Sequence, residues 1–103
     1  MQLSQWLTET GLWVAERRSR GLRGEAVEDI EWGLCSIELK TRKDFPPQYL
    51  EDWMAQAERN SGWREPVLVL HKDGTRMGRQ MVVLSLSSFV NLLGGKTNAA
   101  SDA

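Results

Sequence analysis

The run PVLVLHK (66–72) is almost continuously apolar, and it constrains the fold more than any other segment. A strand whose side chains are apolar on both faces is typical of the centre of a sheet that is covered on both sides. A chain of 103 residues is long enough to build one such core. The run therefore predicts a central strand with helices packed against its sheet.

The remaining patterns predict an α/β fold around this strand. Alternation is clearest over 34–40, where Cys35, Ile37 and Leu39 fall on one face of a strand. The predicted order α-β-β-β-α-β-β-α comprises a helix over 2–10, strands over 12–17, 27–32 and 34–40, a helix within 44–62, strands over 66–72 and 80–86, and a last helix capped by Ser87 or Ser88. This order predicts a mixed sheet flanked by helices.

The length is that of one domain, which we expect over residues 1–95. The small and polar residues 96–103 are typical of a disordered tail. Residues 18–24 hold two glycines and three arginines without an apolar period, so we expect a flexible cationic loop there.

The composition excludes several classes of protein. With Cys35 as its single cysteine, the chain can form neither an internal disulfide nor a cysteine-rich zinc site, and Cys35 is expected to pack in the core. No apolar run approaches the length of a membrane span, and the N-terminus lacks the pattern of a secretion signal. These features predict a cytoplasmic protein.

The cationic residues are clustered although the formal net charge is only −1. One cluster comprises Arg17, Arg18, Arg20 and Arg23, and a second comprises Lys40, Arg42 and Lys43. Because the acids are spread more widely, a basic face on a nearly neutral protein is expected.

Glu38 and Lys40 share the polar face of the 34–40 strand. Burying an ion pair costs several kcal/mol of desolvation, so stability alone explains the pair poorly. A solvent-facing strand with an incidental pair is the alternative.

Asp29 favours a functional interpretation of that face. If 27–32 and 34–40 form a hairpin about Gly33, Asp29 lies beside Glu38, and two such carboxylates repel unless a cation lies between them. Mg²⁺ and Mn²⁺ prefer oxygen ligands and retain several waters. Lys40 would then orient a water or stabilise charge on a phosphate, which predicts a phosphodiester-hydrolysing site.

Asp29 followed by Glu38-Leu39-Lys40 resembles the D-(x)n-E-x-K signature of the PD-(D/E)XK nuclease superfamily. The following helix with Gln56 and the apolar strand 66–72 are similar to the αβββαβ core of its restriction-endonuclease-like fold. Over about 3–93, and most closely in SIELKTRKDFPPQYLEDWMAQAERNSGWREPVLVLHKDG, the chain resembles small phage and prophage Holliday-junction resolvase-like endonucleases.

The resemblance implies a Mg²⁺-dependent endonuclease, with Mn²⁺ able to substitute, that acts on branched DNA as a homodimer. Asp29, Glu38 and the carbonyl of Leu39 would hold the metal, and Lys40 and Gln56 would complete the catalytic set with the two acids. The residues expected to bind DNA are Arg17, Arg18, Arg20, Arg23, Arg42 and Lys43.

The sequence departs from the family pattern at two points. Glu28 stands where the signature has a proline before the aspartate, and the acid of the family's first helix has no obvious equivalent. The candidates for a third acid are Glu9, Glu16, Glu25, Glu28 and Glu31. Two alternatives stay open: a catalytically silent DNA-binding module of the same fold, and a nuclease of the superfamily that acts on flapped or linear DNA.

Overall fold

The computed structural model describes residues 2–19 and 28–96, without the side chains of Arg18, Ser19, Glu28 and Asp29. Within these residues one five-stranded sheet is flanked by three α-helices, which confirms the predicted α/β class. The strands are β1 (Ala15–Ser19), β2 (Glu28–Trp32), β3 (Cys35–Arg42), β4 (Glu65–Lys72) and β5 (Met81–Val83), and the helices are α1 (Leu3–Glu9), α2 (Leu50–Asn60) and α3 (Leu86–Leu92).

The strands lie in the sheet in the order in which they occur along the chain. β1, β2 and β3 form an antiparallel meander, β3 and β4 are parallel, and β5 returns antiparallel to β4. Parallel neighbours need a crossover connection, which α2 supplies. The mixed sheet thus has β3 as its middle strand.

A two-residue turn at Gly33 and Leu34 joins β2 to β3. Gly33 has φ +56°, a conformation that a side chain disfavours, and the ring of Trp13 packs where a Cβ at this position would lie. Trp13 also contacts Trp32 edge to face, with ring centroids 5.0 Å apart, and its carbonyl accepts a hydrogen bond from Trp32 Nε1 at 3.1 Å. This packing supports a single register of the hairpin.

The hydrophobic core lies between α1 and the apolar face of β2, β3 and β4. Its buried members are Leu3, Leu7, Ile30, Cys35, Ile37, Val67 and Val69. Leu39, Leu84 and Leu92 are partly buried against them. Cys35 packs in the core as predicted.

The opposite face of the sheet is covered by α2. Leu68 and Leu70 are buried there, together with Ala57 of the helix. Burial of each leucine contributes about 1.5–3 kcal/mol relative to exposure. Because Val67 and Val69 are buried on the other face, β4 is an interior strand that is covered on both faces, as predicted.

The bounds of α2 follow from its terminal residues. A 3-10 turn over Pro47–Tyr49 leads into the helix, with a proline in the first turn, where the missing N–H removes no hydrogen bond. Gly62, at φ +59°, follows the helix in the left-handed conformation. α2 has 11 residues, and no helix in the described part of the chain is long and apolar enough to cross a membrane.

The bounds of all five strands differ from the predicted ones, and β1 and β5 differ most. β1 begins at Ala15 rather than at residue 12. At this start of the strand the N–H of Ala15 donates a hydrogen bond to Oγ1 of Thr8 at 2.9 Å. β1 extends through Ser19, so the start of the predicted loop 18–24 was wrong. Residues 20–24 and the predicted tail beyond Lys96 lie outside the described residues.

The start of α3 corrects the predicted end of the last strand. β5 ends at Val83 rather than at 86, because Ser85 caps the helix: its Oγ accepts from the N–H of Ser88 at 3.0 Å. The prediction of Ser87 or Ser88 as the cap was therefore wrong. Ser88 instead donates its hydroxyl to Glu65 at 2.6 Å.

Candidate functional site

Glu38 is a buried carboxylate at the centre of the sheet. It is 1% exposed, on the face of β3 that α2 covers. Its Oε1 accepts a hydrogen bond from Asn60 Nδ2 at 2.7 Å, whereas its buried Oε2 has no partner among the described residues. An unpartnered buried carboxylate oxygen carries a free-energy cost, which a cation or a donor at Oε2 would remove. The solvent-facing alternative for this strand is therefore wrong at Glu38.

Asp29 stands directly opposite Glu38 in the register of β2 and β3. The backbone thus has the pairing that a hairpin about Gly33 predicts. Arg18 of β1 stands opposite Asp29 in turn, so one row across the sheet runs through Arg18, Asp29 and Glu38. The side chains of Arg18 and Asp29 lie outside the described part of the structure.

Lys40 lies two residues beyond Glu38, so both belong to the same face of β3. It is half-buried, and its Nζ donates to Oε1 of Gln56 at 3.1 Å. The same Nζ lies 6.0 Å from the centroid of the Trp53 ring. The structure thus brings Lys40 and the predicted Gln56 into direct contact.

One face of α2 supplies the described side-chain contacts of Glu38 and Lys40. Trp53, Gln56 and Asn60 are separated by three and four residues, which is the spacing of neighbours on one helix face. Sequence reasoning included Gln56 but missed Asn60. Its position four residues after Gln56 is the signal that could have identified it.

Leu39 has its side chain on the other face of the sheet, against the core cluster. The ladder between β2 and β3 spans Asp29–Glu38 to Trp32–Cys35, so Leu39 pairs only with Val69 of β4 among the described residues.

Arg42 lies at the end of β3 beside an aromatic cluster that the sequence analysis did not identify. Its guanidinium carbon is 5.5 Å from the Tyr49 ring centroid and 5.7 Å from that of Trp53. Tyr49 stacks on Trp53 at 5.7 Å, and Phe45 meets Trp53 edge to face at 6.1 Å. The recurrence of Phe45, Tyr49 and Trp53 at intervals of four is the missed signal.

The other residues expected to bind DNA are not gathered at this point. Lys43 is exposed just beyond β3. Arg17 is exposed on β1, and its Nη1 donates to Oε1 of Gln2 at 2.6 Å. Arg20 and Arg23 lie outside the described residues.

The candidate third acids occupy several places. Glu9 accepts a hydrogen bond from Gln5, and Glu16 is exposed on β1. Glu31 forms an ion pair with Arg64 at 2.9 Å. The side chain of Glu28 and the whole of Glu25 lie outside the described part of the structure.

Among the described side chains, which do not include Asp29, no group of three or more histidines, cysteines or acids is arranged to hold a metal.

Cys35 has a pKa raised above its ordinary value, first because the thiol is buried and second because the charge of Glu65 lies nearby. It therefore remains a protonated thiol and is a poor nucleophile at neutral pH.

Comparison of the chain with protein-family models, curated proteins and solved structures found no match. Any function therefore has to be inferred from the residues of this chain and their geometry.

Proposed function

We propose that this chain is a metal-dependent DNA endonuclease of the PD-(D/E)XK type that hydrolyses phosphodiester bonds in branched DNA, like a Holliday-junction resolvase. One observation carries the proposal. Glu38 is fully buried with one oxygen unpartnered, stands opposite Asp29 in the register, and lies two residues from Lys40.

The order and pairing of the elements support this proposal. A first helix, an antiparallel meander of three strands, a crossover helix and a parallel fourth strand make the αβββαβ order that the resemblance implies. The acid and the lysine lie on the third strand, and Gln56 lies on the crossover helix.

The residues present fit a hard divalent cation. The unpartnered Oε2 of Glu38 is an oxygen ligand of the kind that Mg²⁺ and Mn²⁺ prefer. Asp29, Glu38 and the carbonyl of Leu39 would hold the ion, with waters completing its coordination. When bound, the ion supplies Lewis-acid stabilisation and lowers the pKa of a bound water.

The remaining residues orient the groups that act on the phosphodiester. Asn60 holds Oε1 of Glu38 and so fixes the direction of its other oxygen. Gln56 holds the ammonium of Lys40, which keeps its positive charge on the same face of β3 as Glu38. In this position Lys40 orients the attacking water or stabilises negative charge that develops on the phosphate.

A homodimer is part of the proposal because branched DNA of two-fold symmetry requires two matched cuts. The last helix supplies apolar side chains for such an interface. Leu86, Phe89 and Leu93 of α3 and its C-terminal end are exposed.

The test is cleavage of labelled four-way junction, flap and linear duplex DNA with and without Mg²⁺. We expect Mg²⁺-dependent cutting, strongest on the junction, and its loss in Glu38→Gln and Lys40→Ala. Glu38→Gln is the sharper variant because it retains an oxygen that can accept from Asn60. Cutting that persists in both folded variants would contradict the proposal.

A catalytically silent DNA-binding module is the second candidate. It is favoured by the contacts of two candidate third acids, since Glu9 accepts a hydrogen bond from Gln5 and Glu31 forms an ion pair with Arg64. Such a module would bind the junction equally well with and without Mg²⁺ and would cut none of the three substrates.

A further inference from the structure

Lys40 and Arg42 form a pair of positive charges that no described carboxylate neutralises. They are two residues apart on β3 and so belong to one face of the strand. Neither forms an ion pair in the part of the chain that the structure describes. Their Cα atoms are separated by about 7 Å along the strand. Two long side chains at this spacing can reach neighbouring phosphates of one DNA strand.

The aromatic residues beside Arg42 restrict its guanidinium without using its hydrogen-bond donors. Its guanidinium carbon lies within 5.7 Å of the ring centroids of both Tyr49 and Trp53. A cation held by ring faces keeps all five N–H groups available, and these match the oxygens of a phosphate. Less side-chain entropy is then lost when Arg42 binds.

We propose that Tyr49 and Trp53 are positioning residues that hold Arg42 against the DNA phosphate next to the one that Lys40 faces. This inference rests on the proposed function, because it takes DNA as the ligand of the Glu38–Lys40 site. It adds a second phosphate contact and the two rings that orient it.

Direct stacking of a DNA base on Tyr49 is the competing role for the ring. Tyr49 is 40% exposed, but it already stacks on Trp53 with an interplanar angle of 26° and contacts Arg42. Trp53 is surrounded by Phe45, Tyr49 and the two cations. A base would have to displace one of these contacts, so the geometry favours positioning of Arg42.

A double-mutant cycle on Arg42 and Tyr49 tests the inference. Binding of a labelled junction to the full-length chain is measured by fluorescence anisotropy in EDTA, over a series of salt concentrations, for Arg42→Ala, Tyr49→Leu and the double variant. Arg42→Ala should weaken binding about eightfold at 0.1 M salt and reduce the salt slope by about 0.9, the effect of one lost phosphate contact. Tyr49→Leu should weaken binding about two- to fivefold.

The decisive result is in the double variant. If Tyr49 acts through Arg42, Tyr49→Leu has no further effect once Arg42 is alanine, and Tyr49→Phe, which keeps the ring, binds like wild type. Additive losses would overturn the inference in favour of base stacking. Equal losses in Tyr49→Phe and Tyr49→Leu would also overturn it, because the hydroxyl rather than the ring would then matter.

Trp63→Leu is the matched control. Trp63 is 72% exposed and contacts the guanidinium of Arg64 at 4.3 Å, so it is also an aromatic–arginine pair. It lies near the other end of β3, about 23 Å from Arg42 along the strand. We expect unchanged DNA binding, with circular dichroism confirming the fold of each variant.

The outcome for the inference is separate from that for nuclease activity. Coupling between Arg42 and Tyr49 in a chain that never cuts DNA would refute the proposed nuclease activity. It would still support the positioning of Arg42 against a DNA phosphate. Cleavage of DNA together with additive losses of DNA binding would support the nuclease activity and overturn the positioning of Arg42. A chain that binds neither junction nor duplex would overturn both.

Discussion

Asn60 donates a hydrogen bond to Oε1 of Glu38 at 2.7 Å, and it is the only partner of this buried carboxylate in the described part of the chain. The contact joins the end of α2 to the middle of β3. It therefore links the orientation of the candidate metal ligand to the packing of the crossover helix.

Replacing Asn60 should destabilise the fold through Glu38. Asn60→Leu leaves both carboxylate oxygens without a donor, and we expect the free energy of unfolding to fall by about 1.5–3 kcal/mol. Urea denaturation followed by circular dichroism measures the change. The double variant Glu38→Leu/Asn60→Leu removes both polar partners and should recover most of the loss. A double variant no more stable than Asn60→Leu would show that the hydrogen bond is not the cause.

Mg²⁺ should stabilise the folded chain through Glu38. A ligand at ten times its Kd contributes about 1.4 kcal/mol to a native state that alone binds it. For a domain of this size, we expect the Tm to rise by roughly 5–10 °C. Thermal unfolding of wild type and Glu38→Gln, each with and without MgCl₂, checks this. An equal rise in the variant would mean that the ion binds elsewhere.

Gly33→Ala should destabilise the hairpin more than an equivalent change at Gly62. Both glycines have φ near +60°, where a Cβ costs about 1–2 kcal/mol. At Gly62 nothing lies within 4 Å of the new Cβ, whereas at Gly33 it meets the Trp13 ring. Gly62→Ala thus reports the backbone strain alone, and the excess at Gly33 reports displacement of Trp13. Equal losses in urea denaturation would show that the ring adapts at no cost.

The stability of the protein should fall at alkaline pH through Cys35. Burial, and then the charge of Glu65, raises the pKa of this thiol in the folded state. The folded state therefore holds the proton more tightly than the unfolded state. The resulting stability is complete below about pH 8.5, the ordinary thiol pKa, and is lost as the pH rises towards the folded-state pKa.

Denaturation of wild type and Cys35→Ala between pH 7 and 10 isolates this effect from the other titrating groups. The alanine variant should be less stable at pH 7 and should lose less stability on going to high pH. Parallel curves for the two proteins would contradict the raised pKa.

The order of elements could be predicted because its signals are local. The alternation over 34–40 and the apolar run 66–72 depend only on which side chains are buried, and both strands are present in the structure. The ends of β1 and β5 could not be predicted in the same way. They depend on which hydroxyl accepts a hydrogen bond from a backbone N–H. Thr8 accepts from Ala15 at the start of β1, and Ser85 accepts from Ser88 at the start of α3.

The candidate site could likewise be predicted only where its features follow from local sequence patterns. The shared face of Glu38 and Lys40 follows from the two-residue period of a strand, and the pairing with Asp29 follows from the turn at Gly33. The roles of Asn60 and Tyr49 depend on which face of α2 meets β3. That orientation is a property of tertiary packing, so the spacing of these residues becomes informative only after the helix is placed.

The crossover from β3 through α2 to β4 has a consequence for how the site assembles. Its contacts join residues close together in the chain: 16 positions separate Lys40 from Gln56, and 22 separate Glu38 from Asn60. Closing such short loops loses little chain entropy, and structures built from local contacts form fast. Residues 29–60, about one third of the chain, thus hold the candidate site residues together with the contacts that order Glu38 and Lys40, and we expect this segment to become structured early in folding.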